Sequence, residues 1–274
     1  MGADSFSPNE IEKILSSTRQ ADAKISAPRS ILVCWSKPDH GKGIHAYQEF
    51  AEMMNGLLNK VNKIEAKAVE GFPSSEQWAK ADLVIFYLTQ NQLSDAEYTL
   101  LDSHLRQGKS VIVLHQGLVQ QKNIDRWANR IGYAYSWDKA DESKWGPMDG
   151  TITLDASHQI FSGFPASFRL KDELYWNLKK GDRGKITILG ETGTPGDAKS
   201  EKIWPVFWTV EHPAQGGAEE ARVFCSVVGH IDDLHDAPYF RTILLRAVSW
   251  CLREPFSTFE TLVTDGISIH KPKQ

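Results

Sequence analysis

The stretch from Asp82 to His115 reads DLVIFYLTQNQLSDAEYTLLDSHLRQGKSVIVLH and contains a complete strand–helix–strand unit. The continuous apolar runs at its two ends, residues 82–88 and 110–115, are typical of strands that are covered on both faces. Between them, residues 94–107 have the spacing of an amphipathic helix, which Gly108 closes. This order predicts a right-handed β-α-β unit of a parallel sheet.

The alternation of strands and helices continues on both sides of this unit. Further strands are expected at residues 31–35, 63–69, 205–210 and 222–228, and further helices at 46–61 and 238–252. The fold class is therefore α/β, with a mainly parallel central sheet covered by helices on both faces. Residues 127–208 are dense in Gly, Pro and Trp and predict irregular insertions around a site rather than further regular units.

Composition excludes several classes of protein. The chain has 274 residues, of which 41% are hydrophobic and 24% charged, and its net charge is −4 with a pI near 6.1. These values are typical of a globular protein and give no basic footprint for nucleic acid. The apolar runs are too short to cross a membrane, and the three cysteines lie in apolar stretches as small core residues. No apolar signal core begins the chain, so we expect a cytoplasmic protein, or a periplasmic or secreted one if a leader was removed.

The expected organisation is a central domain with two short extensions. Residues 1–27 form an N-terminal helical arm, which begins with a capping box at Ser7 and Glu10 and has Pro8 at its first helical position. Residues 28–253 form the α/β domain, and residues 254–274 form a C-terminal extension.

Four of the nine histidines lie at the ends of predicted strands or in the loops that follow them. His40 and His45 follow the first strand, His115 ends the strand at 110–115, and His230 follows the strand at 222–228. Since the carboxyl ends of parallel strands meet at one edge of the sheet, these imidazoles can converge as a metal site or an acid–base cluster. The alternative interpretation is that each is a surface or capping histidine.

Two carboxylate-containing segments add further candidates. Asp39 opens a loop with two glycines that also holds His40 and His45, so it can supply an acceptor or a ligand; the alternative is a flexible glycine loop. Asp172 and Glu173 are adjacent, and in an extended segment their side chains face opposite ways, so that one of them reaches a site. The alternative for this pair is a solvated acidic turn.

Six tryptophans occur between residues 127 and 208, and Trp176 and Trp208 are taken from them as substrate-binding candidates. Flat rings with a polar edge suit the C–H faces of sugars, whereas core packing is the alternative for each.

The order of several short motifs resembles the ThuA-like (trehalose utilisation) family over residues 30–253. The motifs are Lys37-Pro38-Asp39-His40-Gly41 with His45, Leu114-His115, Ser157-His158-Gln159-Ile160, Asp172-Glu173-Leu174-Tyr175, Pro205-Val206-Phe207-Trp208 and Gly229-His230. The resemblance implies a flavodoxin-like three-layer sandwich similar to class I glutamine amidotransferases. At the turn where those enzymes carry a nucleophilic Cys, this chain has Leu114-His115-Gln116-Gly117, so glutaminase chemistry by that route is not expected.

The resemblance also implies a site. Members of the family resemble parts of bacterial pathways that process disaccharides through 3-keto sugars, and some hold a divalent metal among histidines. Carried onto this chain, that implies a site of His40, His45, His115, Glu173 and His230 with Trp208 as a wall. We assign His40, His45 and His115 as ligands of zinc or manganese, and His115, Glu173 and His230 as catalytic residues. Asp39, Trp176 and Trp208 bind substrate, and no nucleotide cofactor is expected.

Three hypotheses of function follow. The first is a metal-assisted lyase or hydrolase that acts on a carbohydrate such as a 3-keto-glycoside. The second is a non-catalytic carbohydrate-binding or scaffold protein that retains the fold. It is favoured by the missing Cys and by Ile44, which stands where the family often has Glu. The third is a hydrolase that uses Asp172 and Glu173 as a carboxylate pair. The expected partner is a small sugar, with no nucleic acid or membrane and with a homo-oligomer left open.

Overall fold

The computed structural model describes residues 6–89, 92–138, 142–197 and 199–265. The helices are α1 (Pro8–Ser16), α2 (Tyr47–Leu58), α3 (Ser75–Lys80), α4 (Asp95–Arg106), α5 (Ile124–Ile131), α6 (Asp232–Asp236), α7 (Pro238–Leu252) and α8 (Ser257–Glu260). The strands are β1 (Arg29–Trp35), β2 (Ile64–Glu70), β3 (Leu83–Phe86), β4 (Ser110–Leu114), β5 (Val119–Gln120), β6 (Tyr133–Ser136), β7 (Lys144–Leu154), β8 (Ser167–Trp176), β9 (Lys179–Lys180), β10 (Lys185–Gly193), β11 (Ile203–His212) and β12 (Ala221–Ser226). Within these ranges, no helix is both long and apolar enough to span a membrane.

One sheet of nine strands forms the centre, in the order β2-β1-β3-β4-β12-β11-β10-β7-β8. The first five strands are parallel to one another. Their order is the 2-1-3-4-5 arrangement of flavodoxin-like folds, in which ligands bind beyond the carboxyl ends of the strands. A smaller sheet is formed by β5, β6 and β9.

Helices cover both faces of the parallel strands, as predicted. Phe86 at the end of β3 packs against Trp78 of α3 and Trp127 of α5. The next residue, Tyr87, points to the opposite face and packs against Phe50 of α2. The predicted three-layer α/β sandwich is therefore confirmed.

The prediction of irregular insertions over residues 127–208 is wrong. Much of this stretch instead forms the long antiparallel strands β7, β8, β10 and β11, which extend the main sheet. Glycine and proline within the strands hide their pattern: Pro147 lies in β7, and the pairing of β10 with β11 shifts register at Gly190. In β7, buried and exposed residues nevertheless alternate over much of its length.

The predicted N-terminal arm and the start of the C-terminal extension pack on α7 through one arginine. Arg246 has a fully buried side chain and donates to the backbone oxygens of Ile14 in α1 and Ser162. Its Nε lies 2.7 Å from Oε1 of Glu260 in α8, which also accepts from Thr18. Residues 1–5 and 266–274 of the predicted extensions lie outside the described residues.

Removing the carboxylate of this ion pair tests how firmly the extensions are held. We expect Glu260→Ala to lower the free energy of unfolding in urea by about 3–5 kcal/mol, because Arg246 would then be a buried charge without its counterion. Glu12→Ala, which removes an exposed partner of Arg19, is the control and should leave the urea midpoint nearly unchanged. Equal effects of the two substitutions would contradict this account.

A second buried group makes the stability depend on pH. His104 in α4 is buried and its Nε2 lies 3.0 Å from the carbonyl oxygen of Ser110, while burial lowers its pKa from 6.5 to about 4. The folded protein therefore binds fewer protons than the unfolded chain between these two values, so stability falls as the pH falls from 6.5 towards 4.

Replacing His104 should remove this part of the pH dependence. In that range we expect the free energy of unfolding to fall with falling pH in both proteins. The slope should be steeper in the unaltered protein than in His104→Leu, and the two slopes should differ by about 1.4 kcal/mol per pH unit. Urea unfolding at a series of pH values measures both slopes. Parallel slopes would show that His104 is protonated equally in the two states.

Candidate functional site

The candidate site lies where the central parallel strands end. His45 is in the loop after β1, His115 directly follows β4, and His230 follows β12. The loops are tied together by backbone contacts: the His45 N–H donates to the His230 carbonyl oxygen at 3.0 Å, and Ile44 forms a β-bridge with Ile231. The predicted convergence of histidines at this edge is therefore observed.

Three imidazole nitrogens form a nearly equilateral triangle. The distances are 3.0 Å from His115 Nε2 to His45 Nε2, 3.2 Å from His115 Nε2 to His230 Nδ1, and 2.9 Å from His230 Nδ1 to His45 Nε2. A tetrahedral zinc ion bound at about 2.05 Å by three nitrogens would separate those nitrogens by about 3.3 Å. The triangle thus has nearly the size of one face of a zinc coordination sphere.

The hydrogen bonds at the far side of two rings decide which nitrogens carry lone pairs. His115 Nδ1 lies 2.7 Å from the Val227 carbonyl oxygen, which only accepts, so Nδ1 carries the hydrogen. Burial, and then the neighbouring His45, lower the pKa of His115 well below its usual range, so the ring is neutral and Nε2 carries a lone pair. That lone pair points into the triangle.

His45 is oriented by a carboxylate in the same way. Its Nδ1 lies 2.9 Å from Asp39 Oδ1. Burial raises the pKa of Asp39, but hydrogen bonds from His45, His40 and Thr89 outweigh burial and hold the pKa below its usual value. An ionised Asp39 accepts the Nδ1 hydrogen, so that in the neutral ring the lone pair of His45 is on Nε2 and faces that of His115.

This donor set fits a divalent cation. Two lone pairs face each other at 3.0 Å, and in the neutral state His230 can supply a single hydrogen between them. A metal ion that replaces this hydrogen would be held by three imidazoles. The tautomers of two of them are fixed, that of His115 by the Val227 carbonyl and that of His45 by Asp39. His45, His115 and His230 are the residues that could hold it, and a second group of Asp39, His40 and His45 shares one histidine with the first.

The backbone at two of these histidines is strained. His115 has φ 43° and His45 has φ 55°, in the left-handed region that few residues other than glycine adopt. His115 occupies the sharp turn directly after β4. Such strain persists where surrounding contacts hold a side chain in place for function.

Asp172 holds the third histidine through its backbone. Its buried carboxylate accepts from three consecutive N–H groups, those of Gly229 at 2.5 Å, His230 at 3.2 Å and Ile231 at 2.9 Å. Burial raises the pKa of Asp172 to about 6 against the opposing effect of these hydrogen bonds, so the group is ionised at neutral pH. Gly229 has φ 135°, a conformation that favours glycine, and Tyr87 donates to its carbonyl oxygen.

Glu173 faces the triangle from the same strand. Its Oε1 lies 3.6 Å from His115 Nε2 and 3.7 Å from His230 Nδ1, and 12% of its side chain is exposed. Burial, and then the negative charge of Asp172, raise the pKa of Glu173 to about 7. Glu173 is therefore a carboxyl group that gives and takes a proton near neutral pH.

The predicted metal ligand His40 lies outside the triangle, which His230 completes instead. The exposed ring of His40 packs on the ring of His45, and its Nδ1 contacts Asp39. Asp39 itself orients His45. The prediction that Trp208 binds substrate is wrong, because its ring is fully buried and its N–H donates to the Ile131 carbonyl oxygen.

Trp176 packs over Gly146 of the neighbouring strand, and its role in substrate binding stays a prediction. Asp172 and Glu173 are not a solvated turn, since both lie within β8. The expectation that only one of them reaches the site is wrong, because Asp172 bonds to the backbone of the loop that holds His230 and Glu173 faces the imidazoles.

Four residues around the triangle received no role from the sequence. Tyr175 stacks on His115 with 4.6 Å between ring centroids, and its hydroxyl lies 3.0 Å from His115 Nε2 and 2.8 Å from Oε1 of Gln116. The Tyr47 hydroxyl lies 2.9 Å from His45 Nδ1, and Thr89 donates to Asp39. Their positions in the sequence could have indicated two of them as site residues, because Thr89 follows β3 and Tyr175 belongs to the same short motif as Glu173.

Fold and site together define a flavodoxin-like α/β protein with three histidines and a carboxylate at the carboxyl edge of its sheet. Residues 30–251 match the family model ThuA, described as trehalose utilisation, and the chain belongs to this family. A comparison with curated proteins gave no match.

Two solved structures share the fold. A ThuA-like protein from Bacteroides uniformis is 15% identical, with a TM-score of 0.60 over 87% of this chain and 99% of its own. A ThuA-like protein from Parabacteroides merdae is 17% identical, with a TM-score of 0.57 over 82% of this chain and 90% of its own.

Substitution of Asp172 tests whether it positions His230. In Asp172→Asn the remaining oxygen is uncharged and an amide replaces the second acceptor, so we expect the free energy of unfolding to fall by about 1–3 kcal/mol. The NMR signals of the His230 ring should also shift or broaden. Asp149→Asn, at an exposed carboxylate of β7, is the control and should change neither quantity. An unchanged His230 spectrum in Asp172→Asn would contradict the positioning role.

Proposed function

We propose that this chain is a metal-assisted enzyme that acts on an oxidised sugar, a 3-keto-glycoside, as a lyase or hydrolase. The observation that carries the proposal is the position of Glu173, within 4 Å of two of the three converging imidazole nitrogens. A carboxylate beside a candidate metal site is an arrangement that suits abstraction of a proton next to a carbonyl. The family description, trehalose utilisation, supports a carbohydrate substrate.

The reaction that suits these groups is an elimination. The Glu173 carboxylate takes the proton from C2, and the C–H electron pair forms the C2–C3 double bond of an enolate as the carbonyl electrons move to oxygen. When the enolate collapses, a C1–C2 double bond forms and the C1–O bond breaks. The leaving group departs as an alcohol after it receives the proton that Glu173 holds, so no oxidant or reductant is consumed. Addition of water to the product would complete a net hydrolysis.

A divalent metal on His45, His115 and His230, when bound, would supply positive charge to the enolate oxygen at C3. The remaining residues of the chain hold this arrangement. Asp39 and the Val227 carbonyl orient two ligands, and Asp172 fixes the loop of the third. Tyr175 covers the buried face of His115. Substrate approaches from the side of Glu173 and His230, where the site is partly exposed.

Metal content of purified variants tests the ligand set. We expect about one zinc or manganese ion per chain, lost in His115→Ala and His230→Ala. His40→Ala should keep the metal, because His40 lies outside the triangle. Loss in His40→Ala with retention in His230→Ala would assign the metal to the Asp39, His40 and His45 group. A chain that stays free of metal after incubation with both ions would contradict the proposal.

Turnover of a 3-keto-glucoside tests the role of Glu173. We expect Glu173→Gln to lower kcat by about 10²–10⁴-fold with the metal retained, since an amide cannot accept the C2 proton. Glu65→Gln, at an exposed carboxylate of β2, is the matched control. Exchange of the C2 hydrogen with deuterated water should fall in parallel. Turnover that survives in Glu173→Gln would remove Glu173 from the reaction.

The second candidate function is a carbohydrate-binding or scaffold protein without catalysis. It is favoured by Ile44, an apolar side chain directly before His45 at the position where the family often has Glu. Sugar binding that needs no metal and yields no product would select this function over the first.

A further inference from the structure

Two tryptophans beside the site are exposed to solvent. Among the described residues, four large apolar side chains are exposed by a third or more: Trp137 at 47%, Trp145 at 55%, Ile188 at 36% and Ile203 at 53%. Exposed indole rings offer a flat apolar surface with a polar N–H, and such rings are enriched at binding interfaces. The proposed reaction gives neither tryptophan a role.

Trp137 is joined to the histidines by a continuous series of ring contacts. His115 stacks on Tyr175 at 4.6 Å, Tyr175 contacts Tyr135 at 5.0 Å, and Tyr135 contacts Trp137 edge-on at 5.2 Å. Burial falls along this series, from the fully buried His115 to the half-exposed Trp137. The rings therefore lead from the floor of the site to the surface.

Trp145 lies on the neighbouring strand, opposite one of these rings. In the antiparallel pair of β7 and β8 it lies directly opposite Tyr175, and Pro147 lies opposite Glu173. Residues directly opposite each other in an antiparallel pair project from the same face of the sheet, about 5 Å apart. Trp145 thus projects from the face that carries Glu173 and Tyr175 to the histidines.

From this arrangement we infer that Trp137 and Trp145 form an outer subsite, which binds the second ring of a two-ring glycoside by stacking. The inference rests on the proposed function, since the sugar that reacts would lie at the histidines and its leaving group would lie on the tryptophans. Pyranose rings present apolar C–H faces with hydroxyl groups at the edge, which suits flat rings with a polar N–H. The subsite selects disaccharides over monosaccharide glycosides.

Calorimetric titration with unoxidised sugars tests the subsite without turnover. Trehalose is the two-ring probe and methyl α-D-glucopyranoside is the one-ring probe. We expect the unaltered protein to bind trehalose more tightly, and Trp137→Ala and Trp145→Ala each to weaken trehalose binding up to about tenfold, with no effect on the methyl glucoside. Trp145→Tyr should retain most of the affinity. Ile203→Ala, at a side chain of equal exposure on β11, is the control and should change neither affinity.

Several outcomes would overturn the subsite. The first is that trehalose does not bind, or binds no more tightly than the methyl glucoside. The second is that the tryptophan variants leave the affinity for trehalose unchanged. The third is that they lower the affinities for both sugars equally. Failure of the proposed reaction can be distinguished from failure of the subsite. If the 3-keto-glucoside is not turned over but trehalose binding depends on Trp137 and Trp145, the reaction is wrong and the outer subsite stands.

Discussion

A buried carboxylate connects the two halves of the sheet at the site. Asp172 belongs to β8, the last strand of the antiparallel half, yet its hydrogen bonds are to the loop that follows β12 in the parallel half. An ionised group without water must have such partners, so the position of β8 relative to that loop is strongly constrained. Because Glu173 and Tyr175 are on the same strand, the bonds of Asp172 also bring them to the histidines.

The three histidines are held at a separation that neutral imidazoles alone do not favour. Two lone pairs face each other, two of the backbones are left-handed, and the rings are fixed from behind by Asp39 and Val227. A cation at the centre would stabilise such an arrangement, and its binding would cost little entropy because the candidate ligands are already in place. Glu173 Oε1 lies within 4 Å of the nearest ring nitrogens of His115 and His230.

The sequence predicted the parallel half of the fold well, because its strands are continuous apolar runs separated by helical segments with clear ends. In the antiparallel half it identified β11 but failed on β7, β8 and β10, because Pro147 lies within β7 and the pairing of β10 with β11 shifts register at Gly190. At the site, position after a strand identified His45, His115 and His230 but could not exclude His40, since both His40 and His45 follow β1. Trp208 was misassigned because burial of an indole depends on tertiary packing, which its motif does not encode.

The central claim is that His45, His115 and His230 together bind one metal ion. X-ray absorption at the zinc edge of the zinc-loaded protein measures this directly. The account predicts three imidazole ligands at about 2.0–2.1 Å with oxygen completing the shell, and no sulfur, since the three cysteines are buried and free. A shell with a single imidazole, or one of oxygen alone, would contradict it.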